Sequence, residues 1–361
     1  MMNTRKVLSA VNRKRFGEFI RYKTTIVTSE EKSKAAQLFE GLANGDRMKL
    51  SKAITMIEST RSDHRRISAE LISMCLKESG KKNKKQKRIG FTGTPGVGKS
   101  TFIETFGKKM IENGHRLAAV DPSSARSGGS ILGDKTRMPY LSVADNAYVR
   151  PSPNKGDMGG VTKSTLETII LTEAAGYDTC FVETVGVGQS EFMVSEMVDM
   201  FVLLSQPGAG DTLQGIKKGI MELADLIIVN KSDGNLEIAS KRTSGNLIDA
   251  LRFVAPKSAD WNPQVIRTSC VSLLNIDRIY DTINLYFDKI EKSKRWDKIR
   301  TLQQRNWMWR QINNLIIERL HEESDVSEAA ESLEKRVLSG EIAPTTAAYE
   351  IVDLFLNKPK I

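Results

Sequence analysis

The stretch "GFTGTPGVGKSTF" at residues 90–102 decides the fold of this 361-residue chain. Read from Gly93, it fits the pattern G-x-x-x-x-G-K-[ST], which Gly98, Lys99 and Ser100 complete. Glycines in such a loop let successive backbone N–H groups turn inward around phosphate oxygens, at the N-terminus of the helix that follows. Lys99 is expected to reach the outer phosphates and Ser100 to ligate magnesium. The motif therefore predicts a phosphate-binding loop.

A glycine-rich turn without a ligand would have the same composition, so the flanking segments decide between the two interpretations. "RIGFT" before the loop has the pattern of a short strand, and "TFIETFGKKMIENG" after it has that of an amphipathic helix ending at Gly114. This context favours a nucleotide site. Its predicted binding residues are Gly93, Thr94, Pro95, Gly96, Val97, Gly98, Lys99, Ser100 and Thr101.

The net charge of +10 is concentrated in two segments. Residues 1–28 carry a net charge of +6, and the run "KKNKKQKR" at 81–88 adds six positive charges, which leaves −2 for the rest of the chain. A nucleic-acid-binding protein would keep a basic face on its folded body, so we expect no nucleic-acid partner and interpret the lysine run as a solvated linker. No apolar run is long enough to cross a membrane.

The first 28 residues are rich in Arg, Lys, Ser and Thr and have apolar residues at helical spacing, as in a mitochondrial transit peptide. A basic N-terminus of a cytosolic protein is the alternative. We predict a transit peptide over 1–28 and a mitochondrial matrix location. Cys75, Cys180 and Cys270 are far apart, and so are the three histidines, which predicts neither a disulfide framework nor a zinc site.

The rest of the chain divides into three predicted regions. Residues 29–88 form a helical region with a basic linker, 89–275 form the domain that carries the phosphate-binding loop, and 276–361 form a C-terminal helical region. Short apolar runs such as "LAAVD", "TCFVET", "MFVLLS" and "LIIVNKSD" alternate with helical segments, which predicts an α/β fold with a doubly wound, mostly parallel sheet. The apolar stripe around "NWMW" serves either packing within the chain or dimerisation as an arm.

"NKSD" at 230–233 gives the base specificity. Asp233 can accept hydrogen bonds from the ring N–H and the exocyclic amine of guanine, a pair that adenine does not offer. Asn230 would steady the site, and the stem of Lys231 would lie over the base. "TSC" at 268–270 follows the short strand "QVIR" and could supply backbone N–H groups to the base carbonyl. The predicted residues of this base loop are Ser269, Cys270 and Val271.

Magnesium and the outer phosphate need acids near Ser100. Asp121 in "VDPSS" and Glu183 in "VETVGVGQSE" fall at strand ends on the ligand side, and Asp134 is a further acidic candidate. The predicted metal ligands are thus Ser100, Asp121, Asp134 and Glu183, with helix or turn capping as the alternative for the two aspartates. The predicted catalytic residues are Lys99, Glu183 and Gln189.

Several long motifs resemble those of a known family. "DPSSARSGGSILGDKTRM", "RPSPNKGDMGGVTK", "GYDTCFVETVGVGQSE" and "GAGDTLQGIKKGIMELADLIIVNKSDG" resemble the MeaB, ArgK and MMAA group of cobalamin-associated GTPases, over roughly residues 35–355. The basic leader favours the mitochondrial, MMAA-type branch. The family's switch regions correspond to residues 121–134, 184–191 and 206–215, and its dimer arm corresponds to the C-terminal helices.

The resemblance implies a homodimeric P-loop GTPase that binds GTP or GDP with Mg²⁺. Such a protein gates delivery of adenosylcobalamin to methylmalonyl-CoA mutase, and protects or reactivates that enzyme. The adenosyltransferase that supplies the cobalamin is a further implied partner. Ala209, Thr212 and Cys270 depart from the family's usual residues; the first two lie in the loop expected to couple GTP to the mutase.

Three other functions stay open on the sequence. A kinase linked to amino-acid transport would tolerate ATP, which Asp233 argues against. A metallochaperone GTPase would need clustered Cys or His residues, which the sequence lacks. A binding module that uses GTP only structurally would differ from a switch in its turnover with and without a partner.

Overall fold

The structure is a computed structural model. It describes residues 27–79, 85–121, 138–151, 158–184, 190–208, 218–255 and 257–356. All but the last two residues of the predicted transit peptide lie outside these ranges.

The centre of the molecule is a seven-stranded sheet in which every neighbouring pair is parallel. The strand order is β3-β2-β4-β1-β5-β6-β7, so the phosphate-loop strand β1 lies in the middle. The predicted α/β fold with a parallel sheet is confirmed, and one edge strand, β3, was not predicted. The strands are β1 (Lys87–Gly93), β2 (Leu117–Asp121), β3 (Ala147–Pro151), β4 (Thr179–Glu183), β5 (Met200–Ser205), β6 (Leu226–Val229) and β7 (Gln264–Arg267).

Helices cover both faces of this sheet and form the two ends of the chain. A short 3-10 turn, Gly234–Leu236, follows β6. The described helices are α1 (Ser29–Ala43), α2 (Arg47–Ile57), α3 (Ser62–Ser79), α4 (Lys99–Glu112), α5 (Pro139–Val143), α6 (Met158–Ala174), α7 (Ser190–Ser195), α8 (Lys218–Leu223), α9 (Glu237–Leu251), α10 (Ile276–Lys292), α11 (Arg295–Glu322), α12 (Ser324–Leu338) and α13 (Pro344–Leu356).

Two apolar layers sandwich the sheet because alternate strand residues point to opposite faces. In β2, Leu117 and Ala119 join the cluster that contains Phe102 and Phe106 of α4. Their neighbours Ala118 and Val120 join the opposite cluster, with the N-terminal helices and α6. Burial on both faces explains why the strands are continuous apolar runs rather than alternating ones.

The N-terminal helices form part of the second apolar layer rather than a separate bundle. Helix α1 begins with a capping box in which Thr28 and Glu31 exchange hydrogen bonds between side chain and backbone. Leu42, Leu50 and Leu71, one from each of α1, α2 and α3, are fully buried in the same cluster as Val182 of β4. These helices therefore cover the sheet face opposite α4.

Helix α10 shares the core of the sheet. Its residues Ile279, Ile283, Tyr286 and Phe287 are buried in the cluster that also contains Phe91 of β1. The domain boundary predicted at residue 275 thus falls just before a helix that packs with the GTPase domain. The predicted limits at 28 and 88 stay predictions.

The long helix α11 is held to the sheet by a buried ion pair. Arg300 donates from Nε to Asp199 Oδ1 at 2.6 Å and from a terminal nitrogen to Asp199 Oδ2 at 2.7 Å. The Asp199 side chain is fully buried. Further along the helix, Gln303 donates to Val198 O at 2.7 Å, and Arg310 pairs with Glu196. One face of α11 is therefore fixed to the segment between α7 and β5.

The opposite side of α11 is apolar and exposed. On this side Trp309 is 55% exposed, and Met308, Leu315 and Ile316 are about as exposed. Trp307, by contrast, packs against the second core layer. In the stripe predicted from "NWMW", Trp307 thus packs within the chain, whereas Met308 and Trp309 are exposed. No described helix is long and apolar enough to cross a membrane.

Replacing Arg300 with alanine tests the ion pair that holds α11. The Arg300→Ala change leaves the buried Asp199 carboxylate without its charged partner, so we expect the free energy of unfolding to fall by about 3 kcal/mol. Urea denaturation measures it. Arg336→Ala, in an exposed pair with Glu341, is the control and should change stability little. Equal losses in the two variants would contradict the assigned role of Arg300.

Candidate nucleotide site

The loop between β1 and α4 has the backbone conformation that its glycines permit. Gly93 has a φ of +154°, and a Cβ atom there would lie 2.5 Å from the carbonyl oxygen of Leu204. Gly98 has a φ of +93°, and its Cβ would lie 2.8 Å from Asn230 Nδ2. Helix α4 begins at the next residue, and Phe102 N donates to Gly98 O at 2.9 Å. The glycines therefore leave the backbone of the loop open to a ligand at the point where helix α4 begins, as a phosphate site requires.

The side chains of this loop divide into buried and exposed sets. Val97 is fully buried in the core beneath the loop, which anchors it. Thr94, Pro95 and Gly96 form the exposed crest, and Thr101 is exposed on the first turn of α4. These placements leave the crest accessible to a ligand.

Lys99 lies within the loop rather than in solvent. Its side chain is 8% exposed, and Nζ donates to Gly93 O at 2.9 Å. Burial lowers the pKa of Lys99, and the charges of Glu183, Asp121 and Glu191 oppose that shift. The ammonium group is thus held at the loop among carboxylates, where it can bind phosphate oxygens.

Two of the predicted metal ligands contact each other. Ser100 Oγ donates to Glu183 Oε1 at 3.2 Å, and Glu183, at the end of β4, is buried beside β1. Asp121 ends the adjacent strand β2 and is also buried. A hydroxyl and two carboxylates are the hard oxygen ligands that Mg²⁺ takes alongside nucleotide phosphates, so these residues fit that ion.

No group of three His, Cys, Asp or Glu side chains within the described ranges is arranged to hold a metal by itself. Mg²⁺ usually takes few protein ligands and completes its coordination shell with water and phosphate oxygens. Bound there, the ion would neutralise charge on the outer phosphates. The roles of Ser100, Asp121 and Glu183 as ligands stay predictions. Asp134 and Gln189 lie outside the described residues.

Asn230 joins the base-recognition segment to the phosphate loop. It is 2% exposed, its backbone N–H donates to Ser205 O, and its Nδ2 donates to Val97 O at 2.9 Å. Lys231, with a φ of +55°, donates from Nζ to Gly96 O at 2.7 Å. The segment that follows β6 is therefore hydrogen-bonded directly to the loop that follows β1.

Asp233 is half-buried at the start of the 3-10 turn, but its side chain does not cap that turn. Its charge contributes to the raised pKa of Cys270, whose main cause is burial, so the two residues are close. Asp233 thus lies near the predicted base loop, and its role in guanine recognition stays a prediction.

The base loop is organised by Ser269. This residue is fully buried, and its Oγ accepts hydrogen bonds from Val271 N at 3.2 Å and Ser272 N at 3.1 Å. The Val271 N–H is thus already engaged within the loop, and the Val271 side chain is 87% exposed. Cys270 Sγ donates to Asn230 Oδ1 at 3.6 Å. The base loop is therefore hydrogen-bonded to Asn230, whose side chain also donates to the phosphate loop.

Sequence reasoning placed Glu191 only at the end of the switch region 184–191 and gave it no role in the site. This residue lies in the first turn of α7, is 5% exposed, and acts electrostatically on Lys99. The only signal in the sequence was its position after the glycine-flanked turn "VGVGQ". Burial of an acid at such a position is decided by packing of α7 on β1, which no local pattern reveals.

A parallel sheet with this loop at its central strand, and a guanine-type recognition segment two strands away, defines a P-loop GTPase. A family model described as "Methylmalonyl Co-A mutase-associated GTPase MeaB" matches residues 50–325. The chain belongs to this family of GTPases.

Several known proteins are similar over most of their length. A probable GTPase of Mycobacterium tuberculosis is 46% identical over 321 residues, covering 87% of this chain and 94% of that protein. The mouse protein named "Methylmalonic aciduria type A homolog, mitochondrial" is 43% identical over 340 residues, covering 92% and 82%. A solved structure titled "LAO/AO transport system kinase" has a TM-score of 0.70 and 32% identity, covering 90% of this chain and 98% of that one.

Asp233 can be tested with inosine diphosphate, which lacks the exocyclic amine of guanine. One hydrogen bond to a charged group is worth about 1.5–3 kcal/mol, so the wild-type chain should bind this nucleotide at least about tenfold more weakly than GDP. Asp233→Ala should bind GDP about 100-fold more weakly than wild type and lose that discrimination. Fluorescent-nucleotide displacement measures both affinities.

The control for this prediction is Asp249→Ala, which changes an exposed aspartate on α9 that pairs with Arg252. It should leave both nucleotide affinities unchanged. If Asp233→Ala still preferred GDP to inosine diphosphate, another group would have to recognise the amine.

Proposed function

We propose that this chain is a GTP-hydrolysing chaperone that gates delivery of adenosylcobalamin to methylmalonyl-CoA mutase and protects or reactivates that enzyme. The observation that carries the proposal is the match of residues 50–325 to the mutase-associated family; hydrogen bonds that hold Lys99 in the phosphate loop and join Asn230 to that loop support it. The mouse relative, named for methylmalonic aciduria, supports the same role. Mg²⁺ is the proposed partner of the nucleotide, through Ser100, Asp121 and Glu183.

Hydrolysis would act here as a timing step. The site joins strand ends from β1, β2, β4 and β6, so nucleotide contacts reach segments that continue into several helices. A switch of this kind needs only a low intrinsic rate, which a partner raises by ordering the groups around the γ-phosphate. We propose that the mutase is this partner, with the adenosyltransferase as the source of the cobalamin.

The name of the solved relative suggests a second function, a kinase linked to amino-acid transport. A transport-linked kinase would transfer phosphate to a protein and would accept ATP. The placement of Asp233 near the base loop favours guanine over adenine, which makes this the weaker proposal.

The mitochondrial matrix is the proposed location, on the composition of residues 1–28. Incubation of the full chain with isolated mitochondria tests it. Protease-protected, shortened product would support the proposal, and a chain that stays outside would contradict it.

A homodimer is proposed on the exposed apolar side of α11. Trp309→Glu puts a charge at an exposed position of this side, so it should halve the mass measured by light scattering without lowering the melting temperature. Trp309→Phe keeps an apolar ring and should leave the mass at two chains. A wild-type mass of one chain would contradict the dimer.

GTP turnover with the mutase tests the main proposal. We expect the mutase to raise turnover by the full chain at least about tenfold, a lower bound set well under the ~10³–10⁵ by which partners stimulate such switches. Lys99→Ala removes the ammonium that binds the phosphates and should abolish turnover. ATP should not be hydrolysed, because Asp233 rejects adenine. Phosphate release measures all three.

Active mutase, verified by its own reaction, is the necessary control. Turnover of GTP that stays the same with and without active mutase would exclude this partner, while leaving the chain a GTPase. Hydrolysis of ATP with phosphate transfer to a protein would support the kinase instead.

A further inference from the structure

Glu191 is a buried carboxylate with one oxygen that receives no hydrogen bond from the residues that the structure describes. The residue is 5% exposed, and its Oε2 accepts no hydrogen bond. A buried acceptor without a donor is unfavourable, and in folded proteins such atoms are rare. Within the described part of the chain, this oxygen is therefore an acceptor that a bound donor would satisfy.

The packing of α7 places this carboxylate at the nucleotide end of the sheet. Below it, a Cβ at Gly90 of β1 would lie 2.9 Å from Val194 Cγ1 and 3.0 Å from Val198 Cγ2. Asp199 follows and accepts from Arg88 N at 2.9 Å, near the start of β1. The segment thus runs antiparallel to β1, from its C-terminal end towards its start.

Glu191 precedes Val194 by three residues, so it lies on the same side of α7 and about 4.5 Å higher at a rise of about 1.5 Å per residue. That displacement is towards the C-terminal end of β1, where the phosphate loop begins. Glu191 therefore lies on the side of the Gly90 contact that is nearer to the phosphate loop.

Electrostatics agree with this placement. Glu191 is among the three acids whose charge opposes the lowering of the pKa of Lys99. The other two, Glu183 and Asp121, end strands β4 and β2 and are the predicted metal ligands. No ion pair within 4.0 Å joins Glu191 to a basic residue of the described segments. Its charge is therefore close to the phosphate site without neutralising a neighbour directly.

The expected ligand follows from charge. A carboxylate beside Lys99 would repel the oxygens of a triphosphate, so direct contact between Glu191 and the nucleotide is unfavourable. A water molecule between them removes the conflict, because it can donate to Glu191 and present its lone pair to the phosphorus. The attacking water of GTP hydrolysis meets both conditions.

We propose that Glu191 is a catalytic residue for GTP hydrolysis, whose Oε2 accepts a hydrogen bond from the water that attacks the γ-phosphate. The water oxygen forms a bond to phosphorus, and the bond between phosphorus and the β–γ bridging oxygen breaks. GDP leaves with that electron pair, and the proton of the water passes to Glu191 and then to solvent. The proposal depends on the GTPase reaction alone, so it is independent of the mutase.

Single-turnover hydrolysis by the full chain tests this role. Glu191→Gln keeps the size of the side chain but removes the charge and the proton acceptor. Loss of a general base costs about 10²–10⁴ in rate, so kcat should fall at least about 100-fold. Affinity for GDP, which carries no γ-phosphate, should stay within about threefold of wild type, as expected when an interaction acts only on the reacting state.

Glu196→Gln is the matched control, because Glu196 lies five residues further along the same segment and pairs with Arg310, away from the loop. It should retain wild-type turnover. Glu191→Asp keeps the charge and withdraws the carboxylate by one methylene group. Reduced kcat with unchanged GDP affinity in this variant would support the proposal even if Glu191→Gln lowered the melting temperature.

Two results would overturn the proposal. One is wild-type turnover in a folded Glu191→Gln or Glu191→Asp variant. The other is a change in GDP affinity as large as the change in kcat, because that would mean that Glu191 only balances the charge of Lys99. Loss of mutase stimulation with unaltered intrinsic turnover would count against Glu191 as well, while leaving the chaperone role intact.

Discussion

Two hydrogen bonds join the loops of the site, from Lys231 Nζ to Gly96 O and from Asn230 Nδ2 to Val97 O at 2.9 Å. The site depends on the second, because the Asn230 side chain is buried. This bond joins the ends of β1 and β6, which are separated by β5. Only glycine at position 98 leaves room for the asparagine amide, since a Cβ there would lie 2.8 Å from Nδ2. Phosphate binding and base recognition are therefore parts of one rigid unit. Cys270, which donates to the same side chain, extends that unit to the base loop.

Charge organises the other half of the site. The ammonium group of Lys99 interacts electrostatically with the carboxylates of Glu183, Asp121 and Glu191. Such an arrangement favours a nucleotide that brings a divalent cation over a bare triphosphate, because the carboxylates repel phosphate oxygens and attract the metal. The same carboxylates are held by different elements, β4, β2 and α7, so their spacing follows from the packing of the whole sheet.

Local pattern was enough to predict the parts of the fold that have a strong local signal. The strand "QVIR" occupies Gln264–Arg267 as predicted, and the apolar stripe around "NWMW" lies within helix α11 of the predicted C-terminal helical region. Strand β3 was missed because "AYVRP" is a short edge strand that contains Arg and Pro, so it lacks the apolar run of a central strand. The pairing of Arg300 with Asp199 spans 101 residues, and the burial of Glu191 depends on contacts of α7 with β1. Neither the ion pair nor the burial of Glu191 can be predicted from the residues that are neighbours in the sequence.

The packing of α10 has a consequence for how this chain can be divided. A fragment ending near residue 275 would retain every strand but lose Ile283, Tyr286 and Phe287, which fill one face of the sheet. The uncovered face would be a large apolar patch, of the kind that causes aggregation. A transplantable GTPase module must therefore include α10 and the first turns of α11 through Arg300. Helix α10 thus belongs to the core of the sheet as well as to the C-terminal helical region. If relatives exchanged their C-terminal helices during evolution, the junction between the two sequences would have to lie within α11.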